Sequence, residues 1–285
     1  METLRAPSLN TTALDKARRK SILLLTDGQP NCAPTVPYDQ GIRNYMDQHP
    51  KFKFQMNTFG FGYNLDSALL LQLAEECHGT YSFIPVAPNV GTMFVNTVAN
   101  IVSNYTQSAT LRLLPAGGAQ FTGAPKGKLT SSEETWGRFI HLGPLQYGQA
   151  RDVVIPMKIP AGSTSYLEAI VSYPNMVSGK EVRVSSSECS HDATLESVVA
   201  GLRNTIIDTG FEACQEALAN NMNSANKSME TLNKLVDTLY NATGKSPKVQ
   251  ALQADTSERM SKAFDGNERF RRWGGHYIRS LMRAH

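Results

Sequence analysis

The clearest feature of the hydrophobic pattern is a short apolar run that ends abruptly in a polar turn. The run is Ser21-Ile-Leu-Leu-Leu25, and Thr26-Asp27-Gly28 follows it. A short apolar run bounded by turn residues predicts a strand buried on both faces, as in parallel sheets. Open parallel sheets bind ligands beyond the carboxyl ends of their strands, which is where Asp27 is placed. Asp27 is therefore a candidate metal or polar-ligand residue, with the alternative that Asp27-Gly28 only forms a turn.

The next eighty or so residues alternate between strand-like and helix-like patterns. Strands are predicted at 54–60 and 81–84, where aromatic and β-compatible residues cluster. Apolar residues recur at helical spacing over 65–77 and again over 90–105. Strands that alternate with helices in this way predict right-handed βαβ units and a parallel sheet.

Four segments of this region match a known domain in the right order. They are Ile22–Asn31, Asn57–Asp66, Leu73–Pro85 and Val90–Asn96, and the final stretch Trp273–His285 extends the match. On these segments the chain resembles the von Willebrand factor type A (vWA) domain, and especially intracellular vWA proteins linked to Hint (intein-like) modules. The resemblance implies an α/β doubly wound parallel sheet, followed by an antiparallel β-sandwich and a C-terminal helical region.

The same resemblance implies a metal site of which this sequence carries only a small part. The vWA site uses an Asp-x-Ser-x-Ser loop, a Thr from a second loop and an Asp from a third loop, and only the third has a counterpart here, at Asp27. Met1–Arg5 already resembles the helix before the fourth strand, which implies a truncated domain that begins about halfway through. Because Mg²⁺ demands near-octahedral oxygen ligands, we expect it to bind only if the missing loops are supplied. No other cofactor is predicted.

Truncation would leave the strand at 22–25 without its usual neighbour. An apolar, uncharged strand edge is a template for unwanted pairing. Residues 1–20 fold back over this edge, or a partner chain covers it, or the chain is a fragment of a larger protein. We favour the fragment, and we expect the isolated chain to express poorly or to self-associate.

Two further regions follow, and they differ in pattern. Runs of β-forming residues separated by Gly, Pro and Ser loops predict an antiparallel sandwich. These runs cover 109–114, 136–142, 152–159, 166–172 and 181–185. From Ala193 onward, apolar residues at three-to-four spacing predict helices, with a stop at Gly244 and a new start at Ser246-Pro247. The predicted boundaries are a partial vWA domain at 1–106, a β-sandwich at 108–188 and a helical region at 192–285.

Composition narrows the classes of partner. A net charge of +3 over 285 residues gives no electrostatic case for nucleic acid or a membrane surface. The sequence has no run of eighteen apolar residues and no signal-peptide pattern in its first twenty. Its four cysteines have no zinc-site spacing, which favours reduced thiols in a cytoplasmic protein.

Enzyme motifs are incomplete. Gly60-Phe-Gly62 is placed like a dinucleotide fingerprint, but Leu65 stands where the next glycine is needed. Cys189 and His191 are two residues apart, a spacing that seldom forms a nucleophile–base pair. We therefore predict a non-catalytic protein–protein interaction protein with no catalytic residue. The alternatives are a fragment of a vWA protein with an intein-like processing module, or a hydrolase.

Overall fold

The computed structural model describes residues 20–284, apart from 33, 51, 53, 176, 177 and 179. The predictions for Met1–Arg5 and for a cover formed by the first twenty residues fall on the segment 1–19, outside these described residues.

The N-terminal part is a three-stranded parallel layer with helices between its strands. Its strands are β1 (Ser21–Thr26), β2 (Gln55–Phe61) and β3 (Tyr81–Ile84), in the order β1-β2-β3. Its helices are α1 (Tyr38–Gln48), α2 (Ser67–Glu76) and α3 (Val90–Ser103), with a 3₁₀ turn at Ala87–Asn89. The predicted parallel sheet with helices is confirmed.

Three local predictions in this layer need correction. β1 is not buried on both faces, because it is an end strand of the layer and Leu23 and Leu25 are exposed. Helix α1 was not predicted, since it is polar and buries none of its residues. Helix α3 ends at Ser103, two residues earlier than predicted, because Asn104 already begins the next strand.

The central part forms a five-stranded antiparallel sheet of order β10-β9-β4-β7-β6, and β5 pairs with β8 in a separate two-stranded sheet. The strands are β4 (Asn104–Pro115), β5 (Gln120–Phe121), β6 (Ser131–Glu134), β7 (Gly137–Gln146), β8 (Met157–Lys158), β9 (Leu167–Pro174) and β10 (Glu181–Ser186). The antiparallel sheet is confirmed. Of the predicted run at 152–159, only Met157–Lys158 is a strand, since Pro156 has no backbone N–H to donate.

The C-terminal part is helical and has its own apolar core. Its helices are α4 (Leu195–Leu218), α5 (Met222–Ala242), α6 (Pro247–Ala254), α7 (Ser261–Ala263), α8 (Asn267–Arg269) and α9 (Gly275–Ala284). Two π-helical turns occur, at Asp255–Met260 and Phe270–Gly274. The predicted stop at Gly244 is confirmed, and its φ of 63° is one that glycine adopts without strain. In the described part of the chain, no helix has the length and apolar character needed to cross a membrane.

Helix α9 joins the helical part to the parallel layer. Tyr277 of this helix and Trp273 of the π-helical turn before it pack against the helical core and also against the core of the layer. The hydroxyl of Ser280 accepts the N–H of Phe83 in β3 at 3.1 Å, and Arg283 donates to the carbonyl of Gly79 at 3.3 Å. The β3 side of the layer is therefore in contact with the last helix.

Candidate functional site

The loops after β1 and β2 meet at the carboxyl edge of the parallel layer. Thr26 and Gly60 are register partners, so the two strands end side by side. Asp27 follows β1 directly and is exposed to solvent. The Gln29 side-chain amide donates to the Asn64 side-chain oxygen at 3.5 Å, a long contact between the two loops. The structure thus places Asp27 at the edge where the sequence pattern predicted a ligand residue.

The described groups around Asp27 do not form a magnesium site. The Thr26 hydroxyl is held within its own turn, where it accepts the N–H of Gly28 at 3.3 Å. Over the residues that the structure describes, no group of three or more His, Cys, Asp or Glu side chains is arranged to hold a metal ion. Because Mg²⁺ needs several oxygen ligands in near-octahedral geometry, the residues present do not fit it.

A buried polar cluster lies behind this edge, at the start of α2. Asp66 caps the helix, and its carboxylate accepts the N–H of Leu69 at 2.9 Å. Ser67, which is 2% exposed, accepts a hydrogen bond from Arg279 at 2.9 Å, and its hydroxyl lies 2.7 Å from Nδ1 of His276. Sequence reasoning missed this cluster, because its members lie more than two hundred residues apart and no motif links them.

Burial governs the protonation of this cluster. Desolvation lowers the pKa of His276, and the positive charge of Arg279 lowers it further. Desolvation also raises the pKa of Tyr81, whose ring is almost fully buried in the same core. The arrangement therefore favours a neutral imidazole beside the serine hydroxyl. A nucleophile must reach its substrate, and Ser67 is enclosed, so this contact fastens α9 to α2.

The two other candidate motifs have structural explanations. Cys189 donates to the Leu167 carbonyl at 3.4 Å, whereas Nε2 of His191 lies 2.6 Å from the Ser163 carbonyl. Their side chains thus bind separate backbone groups. A Cβ on Gly60 would lie 2.8 Å from a methyl group of Leu65, and Gly62 has a φ of 80°, so packing and turn geometry favour glycine at these two positions without any ligand.

Comparisons with known proteins agree with the fold. A model of the von Willebrand factor type A domain matches residues 3–83, and a model described as VWA / Hh protein intein-like matches residues 246–285. The chain thus contains one segment similar to the vWA domain and a second segment similar to the intein-like model. The intein-like match contains the stretch at 273–285 on which the resemblance to Hint-linked vWA proteins depends, and that prediction is confirmed.

Two solved structures are similar to this chain over most of its length. A von Willebrand factor type A protein from Catenulispora acidiphila matches with a TM-score of 0.58 and 12% identity, over 85% of this chain and 66% of that one. The ArnB paralog VWA2 from Sulfolobus acidocaldarius matches with a TM-score of 0.48 and 16% identity, over 93% of this chain and 63% of that one. The chain thus spans just under two thirds of each structure. No curated protein matches it.

Proposed function

We propose that this vWA protein is a non-catalytic, cytoplasmic protein–protein interaction protein. Its parts would be a truncated vWA domain at 1–106, an antiparallel sandwich at 108–188 and a helical region at 192–285. The observation that carries the proposal is an exposed apolar area on the parallel layer, here called the edge surface. The edge surface consists of Leu23 and Leu25 of β1 with Val95, Val98 and Val102 of α3.

The register of the strands places these residues on one side of the layer. Leu25 pairs with Phe59 of β2, and register partners in a parallel pair point to the same face. The ring of Phe59 stacks on Phe94 of α3 at a centroid distance of 4.7 Å. Leu25 and α3 therefore share a face. The three valines follow one another at helical spacing, and Val95 and Val102 are 68% and 67% exposed.

The two outer strands of the layer differ in a way that favours association through β1. β1 is uncharged, and β2 is its strand partner in the described part of the chain. The outer strand β3, by contrast, is in contact with α9 through Ser280. An uncharged edge strand flanked by exposed apolar side chains favours pairing with a partner strand, which gains backbone hydrogen bonds and buries apolar area.

Sedimentation of the isolated chain with charged substitutions tests this proposal. We expect the parent to associate over a range of concentrations and Leu25→Lys to stay monomeric, because lysine blocks edge pairing. Leu218→Lys is the matched control, since Leu218 is 54% exposed at the end of α4 in the helical part. A parent that remains a clean, stable monomer would contradict the proposal, as would equal effects of the two substitutions.

A second candidate is that the chain is part of a larger vWA protein with an intein-like processing module. The match of residues 246–285 to the intein-like model favours it. In that case the partner of the edge surface would be the rest of the same vWA sheet. Genomic sequence on both sides of the reading frame tests it: an in-frame upstream Asp-x-Ser-x-Ser and a downstream module beginning with cysteine would support the fragment.

A further inference from the structure

A groove of about 600 Å³ lies beside the loop after β2, away from any residue of the edge surface. It is lined by residues of both matched segments: Tyr63 from the vWA segment, and Asp265, Glu268, Arg269, Arg272 and Trp273 from the intein-like segment. Most of these side chains are exposed, so the groove is shallow. Small molecules bind in pockets that enclose most of their surface, so a shallow groove is better suited to an extended peptide.

The aromatic walls of the groove are held in place by packing. The ring of Tyr63 lies 6.1 Å from that of Phe83 in the layer. Trp273 contacts Tyr277 edge-on at 5.3 Å and packs against both apolar cores. Walls that are fixed before binding reduce the entropy lost when a ligand binds.

One wall of the groove comes from the π-helical turn Phe270–Gly274, which supplies both Arg272 and Trp273. Gly274 within this turn packs so tightly that a Cβ would lie 2.2 Å from the carbonyl of Ala263. Single π-helical turns within helices are frequently found at functional sites.

Arg272 is the arginine of the groove that is available for an anion. Arg269 is paired with Asp265 at 2.6 Å, so these two charges offset each other. Arg272 lies over the ring of Tyr63 at 5.7 Å, and none of the ion pairs among the described residues involves it. A guanidinium over a ring keeps its in-plane N–H donors available for a carboxylate. The same guanidinium would repel a cation that approached Tyr63.

Two neighbouring charges complete the electrostatic picture. Arg271, at the next position of the π-helical turn, donates to the neutral side-chain amide of Asn220 and so keeps its full charge. Glu268 is the opposing carboxylate in the groove. The four charged residues of the lining balance one another, so the additional positive charge comes from Arg271, which lies beside the groove and not in its lining.

We propose that this groove binds an acidic segment of a partner protein without a metal ion. Arg272 donates paired hydrogen bonds to an Asp or Glu carboxylate of that segment. The apolar side chains of the segment pack on Tyr63 and Trp273. The inference rests on the proposed interaction function and specifies the chemistry of one partner.

Tryptophan fluorescence of the full chain tests this site. The chain has two tryptophans, so Trp136→Phe leaves Trp273 in the groove as the only reporter. The probe is the peptide Gly-Glu-Glu-Leu-Glu-Glu, compared with the same peptide carrying Gln for Glu or Lys for Glu. We expect a saturable change with the Glu peptide, and binding weaker by about tenfold with the Gln peptide, because a charge-assisted hydrogen bond is lost.

Matched variants separate the site from general charge effects. Arg272→Gln should weaken binding by about tenfold, Arg272→Lys by less, and Glu268→Gln should strengthen it. Arg183→Gln, at an exposed arginine of β10, should leave it unchanged. Circular dichroism verifies that each variant is folded. The inference would be overturned if the Glu peptide gave no response, or if the Gln or Lys peptide bound equally well. It would also be overturned if inorganic phosphate displaced the peptide as effectively as the peptide itself does, or if Arg272→Gln bound normally.

The assay also distinguishes this inference from the proposed function. Leu25→Lys lies on the edge surface and should bind the Glu peptide as the parent does. If the parent ignores the peptide while Leu25→Lys still abolishes association, only the acidic-segment inference fails. If the peptide binds but the parent never associates, the proposed role of the edge surface is contradicted, while the inference about the groove is supported.

Discussion

At the scale of single residues, the described neighbours of Asp27 supply too few oxygen ligands for a metal site. Its carboxylate follows β1 at the carboxyl edge of the layer, where vWA resemblance places a ligand. The nearby Thr26 hydroxyl binds within its own turn, and Gln29 and Asn64 bind each other. A divalent cation at this place would still need most of its oxygen ligands from elsewhere.

Titration calorimetry with Mg²⁺ and with Mn²⁺ checks this point. We expect the parent and Asp27→Ala to give the same heat, that of dilution, because one exposed carboxylate does not offset the loss of a cation's hydration shell. Binding heat in the parent that disappears in Asp27→Ala would show that Asp27 holds an ion.

His276 makes the stability of the fold depend on pH. Burial lowers its pKa below the ordinary value of 6.5, and Arg279 lowers it further. The unfolded chain therefore takes up a proton at a higher pH than the folded chain. The contribution of this group to stability is complete above pH 6.5 and is lost as the pH falls through 6.5 toward the lower folded pKa.

We expect His276→Gln to flatten this pH dependence. Urea unfolding should show a smaller fall in the free energy of unfolding between pH 7 and about pH 5 than in the parent. At neutral pH the variant should be less stable by about 1 kcal/mol, since the contact with Ser67 is lost. His141→Gln, at an exposed histidine, is the control and should keep the parent's slope. Equal slopes for His276→Gln and the parent would count against this role of His276.

At the scale of elements, close packing of backbone on backbone positions the π-helical turn. A Cβ at Gly274 would collide with the carbonyl of Ala263 at 2.2 Å, and backbone cannot move aside as a flexible side chain does. We expect Gly274→Ala to lower the free energy of unfolding by about 1–3 kcal/mol. Gly201→Ala, in the interior of α4, should instead raise it by up to about 1 kcal/mol through helix propensity, because the new Cβ would meet no described atom outside the helix backbone within 4 Å. Thermal unfolding of both variants measures the difference, and similar effects would contradict the packing argument.

Elements with a strong apolar pattern were predicted and polar elements were not. The helix over 65–77 is confirmed as α2, because its apolar residues follow helical spacing and five of its residues are buried. Helix α1 and strand β6 were missed, since they bury little and carry polar sequences. In α1, Tyr38 and Ile42 do pack against the core of the layer, but they are only partly buried and stand among polar residues, so this helical spacing was not recognised.

At the scale of the whole molecule, α9 couples the parallel layer to the helical part. Its residues contact α2, β3 and the helical core, and both Tyr277 and the preceding Trp273 of the π-helical turn pack against the two cores. Contacts shared by two cores make their unfolding interdependent, because opening one removes packing from the other.

Loss of packing in the layer should therefore be detected in the helical part. We expect Leu70→Ala, at a site 4% exposed in the layer core, to lower stability by about 2–5 kcal/mol. In the Trp136→Phe background, Trp273 fluorescence and far-ultraviolet circular dichroism each report a urea unfolding transition. The midpoints of the two transitions should shift to the same extent. Leu218→Ala, at an exposed position, should shift neither. A Trp273 transition that stays in place would mean that the two parts unfold independently.

The sequence by itself determined the order of structural classes: a parallel layer, then an antiparallel sheet, then helices. Those classes follow from local periodicity and turn residues, which neighbouring positions along the chain are enough to define. The tertiary structure alone decided that Ser67 meets His276, that Tyr63 and Trp273 form one groove, and that Leu25 remains exposed. Such contacts depend on how elements far apart in the chain pack and on which strand ends the sheet, and hydrophobic spacing carries no information about either.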